Sequence, residues 1–359
     1  MKSKQKVLIV GCGNMGRSHA KAYTQLEGVH ICGLVARGES KNRLKDELNI
    51  ETELYTSIEE ALSQSKPDIV VISTYPDTHE DYAIQSLEAG AHVFLEKPVA
   101  PTLEGCKRVL LKAKQCNRKL AIGYILRHHP SWRTFTQKAK TLGKPLVMRM
   151  NLNQQSQGEM WTTHKNLMKS MPPIVDCGVH YVDVMCQMTE ARPTRIHAIG
   201  VKLTDEVAPH MKNYGQLQVT FEDGSVGWYE AGWGPMMSQT AFFVKDVVGP
   251  KGSVSIVAKE ASKEGNSDSV EAHTKTESLH VHHSDLAEDG SFAKQDEWIQ
   301  NEEEPDHDGL CLLEQEHLLK AIMEDMDLSL HHQQALDSLK VVLAAEQSIN
   351  EQRSITLEY

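Results

Sequence analysis

The sequence predicts an α/β protein of two domains, an N-terminal doubly wound parallel sheet followed by an α+β domain with a mostly antiparallel sheet. Three observations predict it. The chain has 359 residues, more than the roughly 250 to 300 at which a single core stops growing. Its first 125 residues alternate short apolar runs with helical stretches, the rhythm of βαβ units. After Tyr124 strand-like runs follow one another with turns and few helices between them, which favours antiparallel pairing.

In chain order, KVLIV reads as a first strand and a helix starts near Met15; HICGLVA follows, then a helix through Lys41 to Leu48. DIVVIS precedes a helix over His79 to Ala89, HVFLE precedes one over Leu103 to Gln115, and KLAIGY closes the set. Five buried strands with four crossovers make a doubly wound domain over residues 1–125. Residues 126–359 form the second domain. Its strands are PLVMRMNLN, RIHAIGVKL, YGQLQVTFEDGSVGWYEAG and TAFFVKDVV, and FEDGSVGWYE carries an Asp-Gly hairpin signal. One helix, Asp176 to Met188, interrupts them, and two more, Leu310 to Met326 and His332 to Asn350, end the chain. Lys259 to Glu277 is polar and turn-rich, an expected exposed loop.

Composition narrows the function. With 40% apolar and 24% charged residues the chain can bury proper cores. A formal charge of −11 opposes nucleic-acid and anionic-membrane partners, both of which attract clustered cations. The apolar run Val7 to Val10 is a strand rather than a signal-peptide core, and no stretch approaches the roughly 18 apolar residues of a membrane span. Seven cysteines without a CxxC pair suit reduced thiols in a cytoplasmic protein.

Gly11-Cys12-Gly13-Asn14-Met15-Gly16 reads GxGxxG directly after the first strand and at the start of a helix. There the glycines permit a tight turn and close backbone approach, and the helix N-terminus can hold a pyrophosphate. This is the Rossmann fingerprint of a dinucleotide-binding domain; the plainer alternative is a glycine turn that packs helix on strand. Where NAD-binding domains place an acidic residue after the second strand, this chain presents Ala36, Arg37, Ser40 and Lys41. A cation there suits the 2′-phosphate of NADP, which is favoured over NAD, unless Arg37 and Lys41 are ordinary solvated charges.

Glu96-Lys97-Pro98 follows HVFL, and strand C-termini of such sheets are where ligands bind. A lysine there can stabilise an oxygen as a hydroxyl becomes a carbonyl; a surface Glu-Lys pair is the alternative. Asp176 and His180 lie four residues apart on one expected helix, either an acid/base pair or a capping aspartate and a buried histidine. With Cys177 they also offer a zinc reading, disfavoured because no second ligand cluster accompanies them. In SLHVHHSD, His280 and His282 share one face of a strand and His283 the other, favouring a solvated strand over a metal site.

Together, VLIVGCGNMGRSHAKAY, EKPVA, GYILRHHPSW and DCGVHYVD resemble, in order and spacing along most of the chain, the glucose-fructose oxidoreductase and inositol dehydrogenase family, Gfo/Idh/MocA. The two closing helices look like the family's last segment as well. The resemblance implies a Rossmann domain followed by a domain whose large open sheet often mediates oligomerisation, here a homodimer or homotetramer. It implies that Lys97 is the substrate-binding catalytic lysine, that His180 exchanges the hydroxyl proton and that Asp176 is its acidic partner. It also places Gly13, Asn14 and Met15 at the pyrophosphate, Ser73 and Thr74 on the adenosine side, and Glu96 near the nicotinamide ribose. Tyr124 and Arg127 would line the cleft.

The implied reaction is hydride transfer between a nicotinamide and a carbinol carbon of a sugar, sugar derivative or cyclitol. Two alternatives stay open: a tightly bound cofactor serving redox-assisted elimination or glycoside cleavage, and a non-catalytic NAD(P)-binding regulator. One departure concerns the pocket. Where the family commonly has glycines before the Asp176 helix, this chain has Met171-Pro172-Pro173, a fixed path in place of a free one. Trp161, His164 and Lys165 just upstream are candidate substrate contacts, or else part of a surface loop.

Overall fold

A computed structural model describes residues 4–238, 244–257, 276, 278–300 and 304–359. The chain forms two compact units: residues 1–128 with 305–336, and residues 129–304 with 337–359. The change of sequence pattern suggested consecutive segments; instead, 305–336 returns to the first unit. The expected loop over Lys259 to Glu277 falls, except for Thr276, outside the described residues. Among the described residues no helix is long and apolar enough to cross a membrane.

The first unit holds a six-stranded parallel sheet in the order β3-β2-β1-β4-β5-β6, made of β1 (Gln5–Val10), β2 (Val29–Val35), β3 (Glu53–Tyr55), β4 (Ile69–Ile72), β5 (His92–Leu95) and β6 (Leu120–Ile122). Val7 to Val10 and Ile69 to Ile72 are wholly buried, as strands covered on both faces must be. Helices α1 (Asn14–Gln25), α2 (Ser40–Leu48), α3 (Ile58–Ser65), α4 (His79–Glu88) and α5 (Leu103–Gln115) make the crossovers. The five expected strands are present. β3, a three-residue edge strand, and α3 were not expected: their short apolar content gives little periodicity.

This strand order reverses between β1 and β4, and in such sheets the crevice at the reversal is the ligand-binding position. The segment after β1 and the segment after β4 therefore flank it. Helix α10 (His307–Met323) packs on the same unit because Leu318 and Leu319 complete a core with Tyr23, Ile9 and Phe94. The last helix, α11, spans Ser329–Glu351.

The second unit holds a nine-stranded sheet in the order β14-β13-β12-β11-β7-β10-β9-β8-β15. Its strands are β7 (Val147–Gln155), β8 (Pro193–Val201), β9 (Tyr214–Phe221), β10 (Val226–Gly234), β11 (Lys245–Gly249), β12 (Gly252–Val257), β13 (Ser278–His283), β14 (Glu297–Gln300) and β15 (Ile355–Thr356). Among the described residues only β7 and β10 pair in parallel in this sheet; the expected Asp223-Gly224 hairpin joins β9 to β10, with Gly224 at φ 81°. Helices α6 (Pro130–Thr141), α7 (Gly158–Leu167), α8 (Pro173–Asp176) and α9 (Gly178–Thr189) precede β8. Trp132 meets Tyr181 edge-on at 5.8 Å, and Tyr181 stacks on Tyr229 at 4.7 Å, so α6, α9 and β10 share an aromatic core.

Along β8, Ile196 and Ala198 are buried while Arg195, His197, Ile199 and Val201 are exposed. This is the period-two alternation of a sheet with one covered and one open face.

Candidate functional site

The glycine turn has three different physical demands. Gly11 sits at φ 92°, and a Cβ there would lie 2.5 Å from the Ser73 carbonyl oxygen; only glycine takes this backbone so close to β4. A Cβ on Gly16 would lie 1.8 Å from the Gly11 carbonyl oxygen, so that glycine lets α1 seat on the turn. Gly13 is different: it is exposed, it precedes α1 without a side-chain cap, and a Cβ would meet nothing within 4 Å. The first amides of α1, from Asn14 and Met15 onward, thus begin at an open position, where an anion is favoured.

Ser73 donates its amide to the Val10 carbonyl at 2.8 Å, and its buried Oγ has no hydrogen-bond partner among the described residues. Thr74 and Thr78 share a hydroxyl hydrogen bond at 2.7 Å. An uncapped helix end, open space over Gly13 and a buried hydroxyl in want of a partner fit a dinucleotide at this place.

At the end of β2 the two expected cations part company. The Lys41 ammonium donates to the Ala36 and Gly38 carbonyls at 2.9 and 3.0 Å, and the residue is 9% exposed. It closes its own loop. Arg37 stays exposed, and the nearby Glu39 carboxylate accepts from Asn42.

Glu96 follows β5 and is buried, whereas Lys97 is half-buried. Glu96 Oε1 accepts from His19 Nε2 at 2.8 Å and Oε2 from the Lys97 amide at 3.3 Å. Gly123 makes room, since its Cβ would come 3.1 Å from Glu96 Oε2. Burial pushes the Glu96 carboxyl up, but the hydrogen bond from His19 and the charge of Lys97 outweigh it and hold it below the ordinary value. His79 reaches from α4 to the Pro98 carbonyl through Nδ1 at 2.7 Å and to the Thr74 carbonyl through Nε2 at 3.0 Å, tying the loops after β4 and β5 together. Tyr124 is fully buried, and Arg127 lies 5.8 Å from its ring and donates to Gln334 at 2.8 Å.

In the second unit the expected Asp176 to Met188 helix is two helices. Pro173 starts α8 as a first-turn proline, Asp176 ends it, and α9 begins at Gly178. His180 donates its amide to Cys177 at 3.2 Å, a three-residue turn tighter than the four-residue step assumed from the sequence. His180 is buried and Asp176 half-buried. Trp161, His164 and Lys165 lie on α7 rather than a surface loop: His164 stacks on Trp233 at 4.4 Å, while Trp161 and Lys165 both donate to Glu206, at 3.3 and 2.6 Å.

Among the described residues, the grouping of possible metal ligands within 4.8 Å of one another is His19, Cys311 and Glu314, not Asp176, Cys177 and His180. Both ring nitrogens of His19 are already engaged there, by Glu96 and by Gln315 at 2.9 Å. His280 and His282 both meet Asp296 at 2.8 Å while His283 meets Glu297 at 2.9 Å, so the strand alternation is as expected and its histidines hydrogen-bond carboxylates. Sequence reasoning missed His19, His79, Gln315 and Lys245. Lys245 is buried, donates to the Asn151 carbonyl and lies 4.8 Å from the Tyr181 ring; burial pushes its ammonium down to about 7, against the charge of Glu230.

A family model described as an oxidoreductase family with an NAD-binding Rossmann fold matches residues 5–124, and the GFO/IDH/MocA C-terminal domain matches residues 137–255. An inositol 2-dehydrogenase of Klebsiella pneumoniae is 26% identical over 185 residues, covering 50% of this chain and 53% of the relative. The chain spans about half the length of such relatives. In fold it is similar to an NAD-binding oxidoreductase from Klebsiella pneumoniae, with a TM-score of 0.80, 17% identity and all of both chains covered. A scyllo-inositol dehydrogenase from Lactobacillus casei, with bound NAD(H) and scyllo-inositol, gives a TM-score of 0.75 at 19% identity, covering 98% of this chain and 99% of that one.

Proposed function

This chain belongs to the GFO/IDH/MocA oxidoreductase family, and on that premise we propose that it is a nicotinamide-dependent dehydrogenase acting on a carbinol carbon of a cyclitol or sugar. The observation that carries the proposal is the presence, at strand ends of one sheet with β4 between them, of an uncapped glycine-led helix after β1 and Glu96-Lys97 after β5. Relatives named inositol 2-dehydrogenase support a polyol substrate.

In this reading Gly11, Gly13, Asn14, Met15 and Gly16 hold the pyrophosphate, and Ser73 and Thr74 flank the adenosine side. A bound nicotinamide supplies the hydride acceptor or donor. Lys97 binds the substrate oxygen and offsets charge as the carbinol becomes a carbonyl. His180, with Asp176 as its acidic partner, exchanges the hydroxyl proton, a contribution of about 10²- to 10⁴-fold. Tyr124, Arg127 and Trp161 shape the surroundings, and the proline path over Pro172-Pro173 distinguishes this chain's choice of polyol.

For the cofactor, exposed Arg37 supports NADP, while Lys41, engaged with two carbonyls, is withdrawn from that role. The open face of the nine-stranded sheet supports a homodimer or homotetramer. Fluorescence titration with NADH and NADPH, followed by a cyclitol and sugar panel read at the nicotinamide absorbance, tests the proposal. Cofactor reduction by a polyol is the expected result. Tight cofactor binding without turnover on any polyol would overturn it.

A further inference from the structure

Behind the strand end of β5 the first unit contains an unbroken hydrogen-bond chain that ends on Glu96 and whose other members none of the roles above uses. Tyr23 OH donates to Gln315 Oε1 at 2.9 Å, Gln315 Nε2 donates to His19 Nδ1 at 2.9 Å, and His19 Nε2 donates to Glu96 Oε1 at 2.8 Å. All four side chains are buried, Gln315 and His19 completely. With Nδ1 accepting from the amide, Nε2 is the nitrogen that carries a hydrogen toward Glu96, so the amide orientation selects the tautomer. The chain joins the helix that opens at the glycine turn, the returning helix α10 and the residue before Lys97.

We propose that His19 is a positioning residue: set by Gln315, it keeps the Glu96 carboxylate ionised at the main chain of Lys97, and that negative charge keeps the Lys97 side chain an ammonium. This rests on the Lys97 assignment above and deepens it.

The surroundings explain why the carboxylate needs such a partner. Glu96 is 7% exposed and Glu314, facing it from α10, is 1% exposed. Burial, then the charge of Glu96, pushes the Glu314 carboxyl well above its ordinary range, so of the two acids Glu314 is the neutral one. Two buried carboxylates side by side do not both ionise without donors; here the donor is given to Glu96. Both oxygens of Glu314 lack a hydrogen-bond partner among the described residues. The other charged or titratable groups that act on Glu96 are Lys97 and, from α4, His79, while His307 and Cys311 on α10 feel Glu96 in turn, the Cys311 thiol being pushed up first by burial. Because the Lys97 charge lowers the Glu96 carboxyl, the coupling is reciprocal: an ionised Glu96 favours a protonated Lys97.

The test needs no substrate. Labelling of Lys97 by an amine-directed acylating reagent, followed by mass spectrometry across pH, reads the fraction of free amine in the apoprotein. In His19→Leu the free-amine fraction at a given pH below the midpoint should rise about tenfold, the effect of losing one nearby opposite charge. His19→Gln, which restores an N–H donor toward Glu96, should return the profile close to wild type. A merely structural role for His19 would change thermal stability without moving this profile. Glu96→Gln should match His19→Leu, and the double variant should add nothing further. Should His19→Leu not fold, Gln315→Leu removes the group that sets His19 and should shift the profile the same way. An unchanged Lys97 profile in the folded variants, or additive effects of His19→Leu and Glu96→Gln, would overturn the proposal. If Lys97→Ala leaves polyol oxidation intact, it is the role of Lys97 in turnover that fails, and the labelling still decides His19.

Discussion

Gly13→Ala separates a dinucleotide turn from a glycine turn that merely packs helix on strand. Gly13 has φ −82° and ψ −163°, an extended conformation open to alanine, and its Cβ would meet no atom within 4 Å. The protein itself therefore has no steric objection. The remaining cost is the difference between glycine and alanine as a helix N-cap, about 0.5 to 1 kcal/mol, or a melting shift of about 1 to 4 °C for a unit of this size. A pyrophosphate seated on the first amides of α1 would, in contrast, meet the new methyl. Overfilling a packed contact costs about 1 to 3 kcal/mol, which is about 5- to 150-fold in Kd. Gly16→Ala is the contrasting variant: its Cβ at 1.8 Å from the Gly11 carbonyl oxygen forces backbone apart, so it should lose stability and cofactor together. NADH and NADPH fluorescence titration beside thermal denaturation reads both quantities. A Gly13→Ala protein with unchanged Kd for both cofactors would refute the reasoning.

Three more predictions come from the strand ends and the open sheet. Arg37→Ser should weaken NADPH about tenfold or more while leaving NADH within about twofold, since a lost charge-assisted contact to phosphate is worth about 1.5 to 3 kcal/mol; equal effects on both cofactors would remove Arg37 from the 2′-position. His331 Nε2 accepts the Ile122 amide at 3.0 Å, and burial first, then Arg127 and His332, pushes its imidazolium well below 6.5. The folded value is depressed, so the unfolded chain takes up a proton that the folded one refuses: stability is full above about pH 6.5 and falls as pH drops below it. The urea midpoint should therefore decline from pH 7 to 5, less steeply in His331→Gln, which keeps an acceptor but does not titrate; parallel declines would contradict this. Ile199→Glu, on the open face of β8, should reduce the mass seen by light scattering if that face joins copies, and an unchanged mass would place the interface elsewhere.

What the sequence made legible was local. The fingerprint glycines, the Asp223-Gly224 hairpin and the apolar strands each declare themselves within a few residues, because turn chemistry and side-chain period act at that range. The start of α8 was within reach too, since Pro172-Pro173 sets it. What stayed hidden depends on partners far along the chain. His19 reads as one more polar residue in α1 until Glu96 and Gln315 are placed beside it, 77 and 296 residues away. Lys41 looked like a cation available to phosphate because nothing in its neighbourhood shows that the Ala36 and Gly38 carbonyls turn back to meet it. The return of 305–336 to the first unit likewise rests on Leu318 and Leu319 finding Tyr23 and Phe94, a match no local periodicity encodes.

The measurement that tests the central claim most directly is cofactor reduction by a panel of inositols and sugars, run in parallel on the wild type, Lys97→Ala and His180→Ala. The account predicts NADP+ or NAD+ reduction with at least one polyol, and a fall in kcat of about 10² or more in each variant with cofactor Kd little changed. Turnover that survives both substitutions, or a cofactor that binds tightly and is never reduced by any polyol, would contradict it.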